Sequence, residues 1–168
     1  RDLNETGLYS AYRATPESIR MIESVIGCAL ETADRAGTGR FNYKTTSMKH
    51  RFRIHPDGCD WAGVLYLNKE SECQGGTTFW KHKEAGLTHW PQWSLLEELG
   101  FKSQEEAWGK LVEIDGLNPD AWQEVCNIPM AYNRLLLFQG RYFHSHTSSF
   151  GDSLENARLT QNFFFNET

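Results

Sequence analysis

The stretch Arg158-Leu-Thr-Gln-Asn-Phe-Phe-Phe165 decides how this chain folds. Side chains alternate across a β-strand, so Arg158, Thr160 and Asn162 share one face while Leu159, Gln161 and Phe163 share the other. A cation and a hydroxyl entering a pocket from one strand face form a carboxylate-binding pair, because Arg can grip a carboxylate bidentately. The plainer alternative is a strand-end salt bridge to one of the chain's acids.

Working outward, further strands read as Arg51–His55, bent by Pro56-Asp-Gly58, and Ala62–Leu67, ended by Asn68. Thr77–Trp80 follows the break at Gly75-Gly76, and Arg134–Phe138 and Tyr142–His146 follow later. Ahead of them lies an amphipathic helix with Thr15 as N-cap, Pro16 at the first helical position and Glu17 in the first turn. Ile19, Ile22, Ile26, Ala29, Leu30 and Ala33 keep helical spacing, which carries the predicted helix to a stop at Gly37 and Gly39. Residues 81–128 read as a helical, Trp-rich insertion holding Trp90, Trp93, Trp108 and Trp122. Within it, Ser94–Leu99 is a short helix stopped by Gly100, and Ser103 with Glu106 is a capping box that opens a second helix through Val112. Asn118-Pro119 opens a third, to about Cys126. One helix followed by strands with a helical excursion predicts a single α+β domain over residues 1–168, mainly β, with a sandwich or barrel core.

The bulk numbers fit one domain with a real core. A net charge of −5 is the wrong sign for a general nucleic-acid binder, and positive charge clusters only from Lys49 to Arg53. No apolar run approaches the roughly 18 residues needed to span a membrane, and no stretch reads as a secretory leader. Cys28, Cys59, Cys73 and Cys126 are scattered with no C-x-x-C pair, which argues against structural zinc and for reduced thiols in a cytoplasmic protein. The Asn-X-Thr triplets at Asn4 and Asn166 are short enough to arise by chance.

Two stretches carry metal-binding side chains. His55-Pro-Asp57 can aim an imidazole and a carboxylate at one point; an iron(II) facial triad needs two His and one carboxylate with the remaining positions open. The alternative is a turn in which Asp57 bonds nearby backbone. In Tyr142-Phe-His-Ser-His146, His144 and His146 share a strand face, so either could supply the third ligand. A cupin-type site would place a Glu after three or four intervening residues, and Phe150 and Gly151 stand there instead. A zinc hydrolase built on His55, Asp57, His144 and His146 would lack an evident catalytic base and would leave Arg158 unexplained.

The order His55-X-Asp57, Leu65-Tyr-Leu-Asn68, Gly75-Gly76, Asn133–Phe138, His144, Arg158-X-Thr160 resembles the iron(II)- and 2-oxoglutarate-dependent oxygenases, most closely the prolyl-hydroxylase-like branch, over residues 41–166. The resemblance implies a double-stranded β-helix, a jelly roll of cupin-like type, with the N-terminal helix packed on it and the site in its mouth. It implies Fe(2+) held by His55, Asp57 and His144, the last chosen for its distance from Phe138 and its Phe-His-Ser context, with His146 nearby. It implies 2-oxoglutarate chelating the iron, its distal carboxylate met by Arg158, Thr160 and Tyr66, and O2 as cosubstrate. The implied activity is hydroxylation of a C–H bond in a small molecule or a peptide side chain, with release of succinate and CO2; the carboxylate of Asp57 stands where halogenating relatives carry a small residue. The chain departs from that pattern in its gap, since Arg158 follows His144 by 14 residues. The Trp-rich insertion is a second departure: it either covers the site or simply packs onto the sandwich. A non-catalytic jelly-roll binding module is the competing reading, and the intact triad with Arg158-X-Thr160 weighs against it.

Overall fold

A computed structural model describes residues 8–33, 38–47 and 53–168. The strand expected over Arg51–His55 falls partly outside the described residues, and of its described part only His55 makes an isolated β-bridge; Gly37, most of the Lys49–Arg53 cluster and the triplet at Asn4 also lie outside. In chain order the strands are β1 (Leu8–Arg13), β2 (Leu30–Thr32), β3 (Arg40–Lys44), β4 (Trp61–Tyr66), β5 (Gly76–His82), β6 (Trp122–Pro129), β7 (Leu135–Gln139), β8 (His144–His146) and β9 (Arg158–Glu167). The helices are α1 (Pro16–Ile26), α2 (Trp93–Glu98) and α3 (Gln104–Trp108).

The two-faced strand is the hub. β9 lies between β3 and β4 in a sheet ordered β1-β3-β9-β4-β7, and its far end also pairs with β2. A second sheet runs β6-β5-β8, and every strand pair in both sheets is antiparallel. The fold is thus α+β and mainly β. On the odd face of β9, Phe163 and Phe165 are buried beneath Ile22 of α1, with Ile19, Ile26 and Leu30 packed around them. The opposite face looks across a cavity toward the smaller sheet, and Tyr66 of β4 bridges the gap: its hydroxyl lies 2.7 Å from the Thr77 hydroxyl of β5.

Two elements differ from expectation. α1 starts as predicted, with Thr15 accepting from the Ser18 amide, but it ends at Ile26. Gly27 takes the left-handed conformation at φ 90° and donates to the Glu23 carbonyl, the αL stop that glycine makes without strain. Leu30 belongs to a strand, yet its side chain still reaches the same apolar cluster, so helical spacing identified the right face on the wrong backbone. The second correction concerns the helix expected from Asn118 to Cys126. Asn118 does cap a turn, accepting from the Asp120 amide, but only a 3₁₀ turn over Pro119–Ala121 follows. From Trp122 the chain pairs with β5 along its whole length, with one bulge beside Phe79.

The rest of the insertion is helical as predicted. α2 ends before Gly100, and Ser103 accepts from the Glu106 amide to open α3. α3 runs on into a π-helical segment over Gly109–Ile114. Leu96, Ala107, Leu111, Val112 and Trp122 pack with Ile54 and Phe143 into a core, with Trp90 and Trp93 against it. No helix among the described residues is long and apolar enough to cross a membrane.

Ile22 and Val25 test which face of α1 packs, since Ile22 is 3% exposed and Val25 is 73% exposed. Ile22→Ala is expected to lower unfolding free energy by about 2–5 kcal/mol. Val25→Ala should change it by no more than about 0.5 kcal/mol in the same urea titration.

Candidate metal centre

His55 and His144 stand 89 positions apart in sequence and face each other as an isolated antiparallel bridge. The His55 amide donates to the His144 carbonyl at 3.1 Å, and the His144 amide donates back at 3.0 Å. Two further backbone bonds fix the segment: the Ile54 amide to the Gly116 carbonyl, 2.8 Å, and the Asp57 amide to the Gly140 carbonyl, 2.6 Å. Alternation sends Ile54 and Phe143, both fully buried, into the core of the insertion, while the two imidazoles point the other way.

That arrangement brings His55, Asp57 and His144 together, with one ligating atom from each inside 4.8 Å of the others. Each imidazole is oriented through Nδ1, His55 on the Arg53 carbonyl at 3.0 Å and His144 on the Tyr142 carbonyl at 2.8 Å. A carbonyl only accepts, so both Nδ1 atoms carry the proton and both Nε2 atoms are left to the site. His144 Nε2 lies 3.4 Å from Asp57 Oδ2. Burial, reinforced by the neighbouring His144, pulls the His55 imidazole down to about 4, against the opposing pull of Asp57. His55 is therefore neutral at neutral pH, the form that binds metal. Two neutral-capable imidazoles held by backbone carbonyls and one carboxylate make a donor set that fits a divalent cation such as iron(II).

The triad opens on a cavity of about 460 Å³. Arg158 lines its far wall, 3% exposed, with Nε buried and without a hydrogen-bond partner. Its guanidinium carbon sits 5.6 Å from the centre of the Tyr66 ring. Asn162, on the same face of β9, also lines the cavity and also buries a side-chain oxygen with no partner. The orphaned Arg158 donor beside an open volume fits a ligand that accepts from it. The other expected anchors sit deeper. Thr160 is buried in the ladder between Asn42 and Tyr66, and the Tyr66 hydroxyl is engaged by Thr77, burial raising its pKa. His146 lines the cavity opposite Thr77 but lies outside the three-residue cluster.

Cavity residues to which the sequence assigned no binding role include Tyr9 on β1, Lys44 and Asn42 on β3, Asn162 on β9, and Thr77 on β5. Only Asn162 had a readable signal, its even position in the alternation of β9. Trp108 and Val112 also reach the cavity, so the insertion walls the site as well as packing on itself. The long gap between His144 and Arg158 is taken up by a loop bearing Gly151 at φ 77°. Phe150 pins that loop beside Tyr66 and Met130.

A sequence profile described as a family of unknown function, DUF6445, matches residues 44–165. The chain belongs to the DUF6445 family. The DUF6445 span begins at Lys44 and takes in His55, Asp57, His144 and Arg158. Comparison with curated proteins and with solved structures found no match.

Gly140 tests how the ligands are held. A Cβ there would run into the Cys59 carbonyl and come within 2.8 Å of its sulfur and 3.2 Å of the Asp57 Cβ. Gly140→Ala should leave the far-ultraviolet circular dichroism intact yet weaken Mn(II) binding about 10-fold or more, read by isothermal titration.

Proposed function

We propose that this protein is an iron(II)- and 2-oxoglutarate-dependent dioxygenase that hydroxylates a C–H bond of a small molecule or a peptide side chain. The single observation that carries the reading is the meeting of His55, Asp57 and His144 at a cavity that is also lined by the buried Arg158, whose Nε has no hydrogen-bond partner. The order of these groups along the chain adds to it. Two antiparallel sheets facing each other across the cavity support a double-stranded β-helix, the jelly roll on which such sites are built.

In this reading His55 and His144 hold the iron through Nε2 and Asp57 holds it through its carboxylate, leaving three places open. Bound there, iron and 2-oxoglutarate would supply the oxidising power, O2 and the cosubstrate giving succinate, CO2 and one oxygen atom for the C–H bond. The protein's own work is placement. Arg158 takes the cosubstrate's distal carboxylate, and the two backbone-tethered imidazoles fix the direction of approach. Trp108 and Val112 narrow the cavity and limit water at the reacting carbon. Iron carries the hard chemistry while the chain positions substrate.

Anaerobic addition of Fe(II) and 2-oxoglutarate should produce the visible charge-transfer absorption of the chelated complex, and air should then release succinate. Asp57→Ala should lose the band. Folded, iron-loaded wild-type protein that gives no band would overturn the proposal.

A further inference from the structure

Lys44 is the residue of this cavity that the dioxygenase reading leaves unused. β3 and β9 pair so that Lys44 stands directly opposite Arg158, and both side chains line the cavity. Like charges placed opposite each other on neighbouring strands repel. Among the described residues no carboxylate forms an ion pair with either one. Among the described residues Asp57 is the only carboxylate on the cavity wall, and it faces His144. A buried Arg and a half-buried Lys side by side without a counter-ion are expensive to hold, and an anion seated between them would offset both. The Arg158 Nε, buried without a hydrogen-bond partner, leaves at least one donor of the guanidinium unspent inside the protein.

We propose that Lys44 and Arg158 together form a paired-cation clamp for one carboxylate of a small dicarboxylic acid. This deepens the reading above by adding a second, cross-strand cation to the cosubstrate site, and it rests on that reading for the anion's identity as 2-oxoglutarate. Arg158 offers two parallel N–H donors and Lys44 a compact point charge from the neighbouring strand, so the clamp recognises charge as well as shape. Asn42 and Asn162 flank the pair on the same sheet face and keep its surroundings polar. Burial, and after it the guanidinium of Arg158, pulls the Lys44 ammonium down to about 7. The clamp is thus only partly charged until an anion arrives.

Two titrations test the clamp. In the first, anaerobic Fe(II)-loaded protein receives 2-oxoglutarate or 2-oxopentanoate, which has the same chelating end and chain length but no second carboxylate; the absorption band reports binding. In the second, metal-free protein receives glutarate in a calorimeter, a readout that needs neither iron nor turnover. Lys44→Met should weaken both dicarboxylates about tenfold to a hundredfold, the loss expected for a charge-assisted bond, and leave 2-oxopentanoate unchanged. Lys44→Arg should recover most of the affinity. Without ligand, Lys44→Met should melt higher than wild type, because it removes one of two unbalanced neighbouring charges; a lysine held for structural reasons would melt lower when truncated. The clamp is overturned if Lys44→Met binds glutarate and 2-oxoglutarate within twofold of wild type, or if it loses 2-oxopentanoate equally. A wild-type band with unchanged Lys44→Met affinities sinks the clamp and leaves the dioxygenase reading standing. No wild-type band, but glutarate binding that depends on Lys44, sinks the dioxygenase reading and supports the clamp. Should Lys44→Met not fold, the same criteria apply to Lys44→Gln.

Discussion

Everything at the site depends on the pair of backbone hydrogen bonds that joins His55 to His144. Closing so long a stretch of chain carries an entropic penalty that two hydrogen bonds cannot offset alone. The stabilisation comes from the residues one step away on each segment. Ile54 and Phe143 are fully buried in the insertion's core with Leu96, Leu111, Val112 and Trp122. The apolar sides of the two segments are thus clamped by the Trp-rich insertion, and alternation then leaves the imidazoles no direction but the cavity. The insertion is a vice for the two ligand-bearing segments first, and through Trp108 and Val112 a wall of the cavity second.

The larger sheet contributes the opposite charge pattern. β9 separates its duties by face: Phe163 and Phe165 anchor α1, while Arg158, Asn162 and Phe164 line the cavity. The β3–β9 wall of the cavity therefore gathers cations and amides, and the other wall gathers imidazoles and a carboxylate, with Arg53 beside His55. A ligand that spans them must present an anion to the first and metal-chelating oxygens to the second, provided a cation sits on the triad. The proposed cosubstrate has that polarity along its length, which is why its two ends cannot be exchanged in the site.

Much of this was legible in the sequence because it rests on local rules. Thr15-Pro16-Glu17, Gly100 and Ser103-x-x-Glu106 each act within one turn of chain, and each ends or begins a helix where expected. The faces of β9 followed from period two alone. The structure groups His144, and not His146, with His55 and Asp57, although spacing by itself placed both histidines on one face. What separates them is position along β8: His144 sits opposite Phe79 and bridges to His55, while His146 lies two pairs further on, opposite Thr77. The two wrong readings also have local causes. Helical spacing ran past Gly27 because Leu30 does join the same apolar cluster, from a strand. Asn118-Pro119 is good capping chemistry, but β-pairing along β5 won the residues after it.

Lys44 shows where such reading stops. Nothing within a few residues of it marks a binding side chain; it ends a short run, Arg40-Phe-Asn-Tyr-Lys44, with no motif. Its significance arises only when β3 lies against β9 in the register that sets Lys44 beside Arg158 and Asn42 beside Thr160. A slip of one residue would turn Lys44 to the opposite face and bring Tyr43 and Thr45 inward. That register is fixed at the other end of the strands, where the Gly39 amide donates to the Asn162 carbonyl and the Gln161 side chain donates to the Gly39 carbonyl. Bonds made some way along the ladder from the cations therefore decide that the two charges meet, and a motif scan along the chain has no access to that pairing.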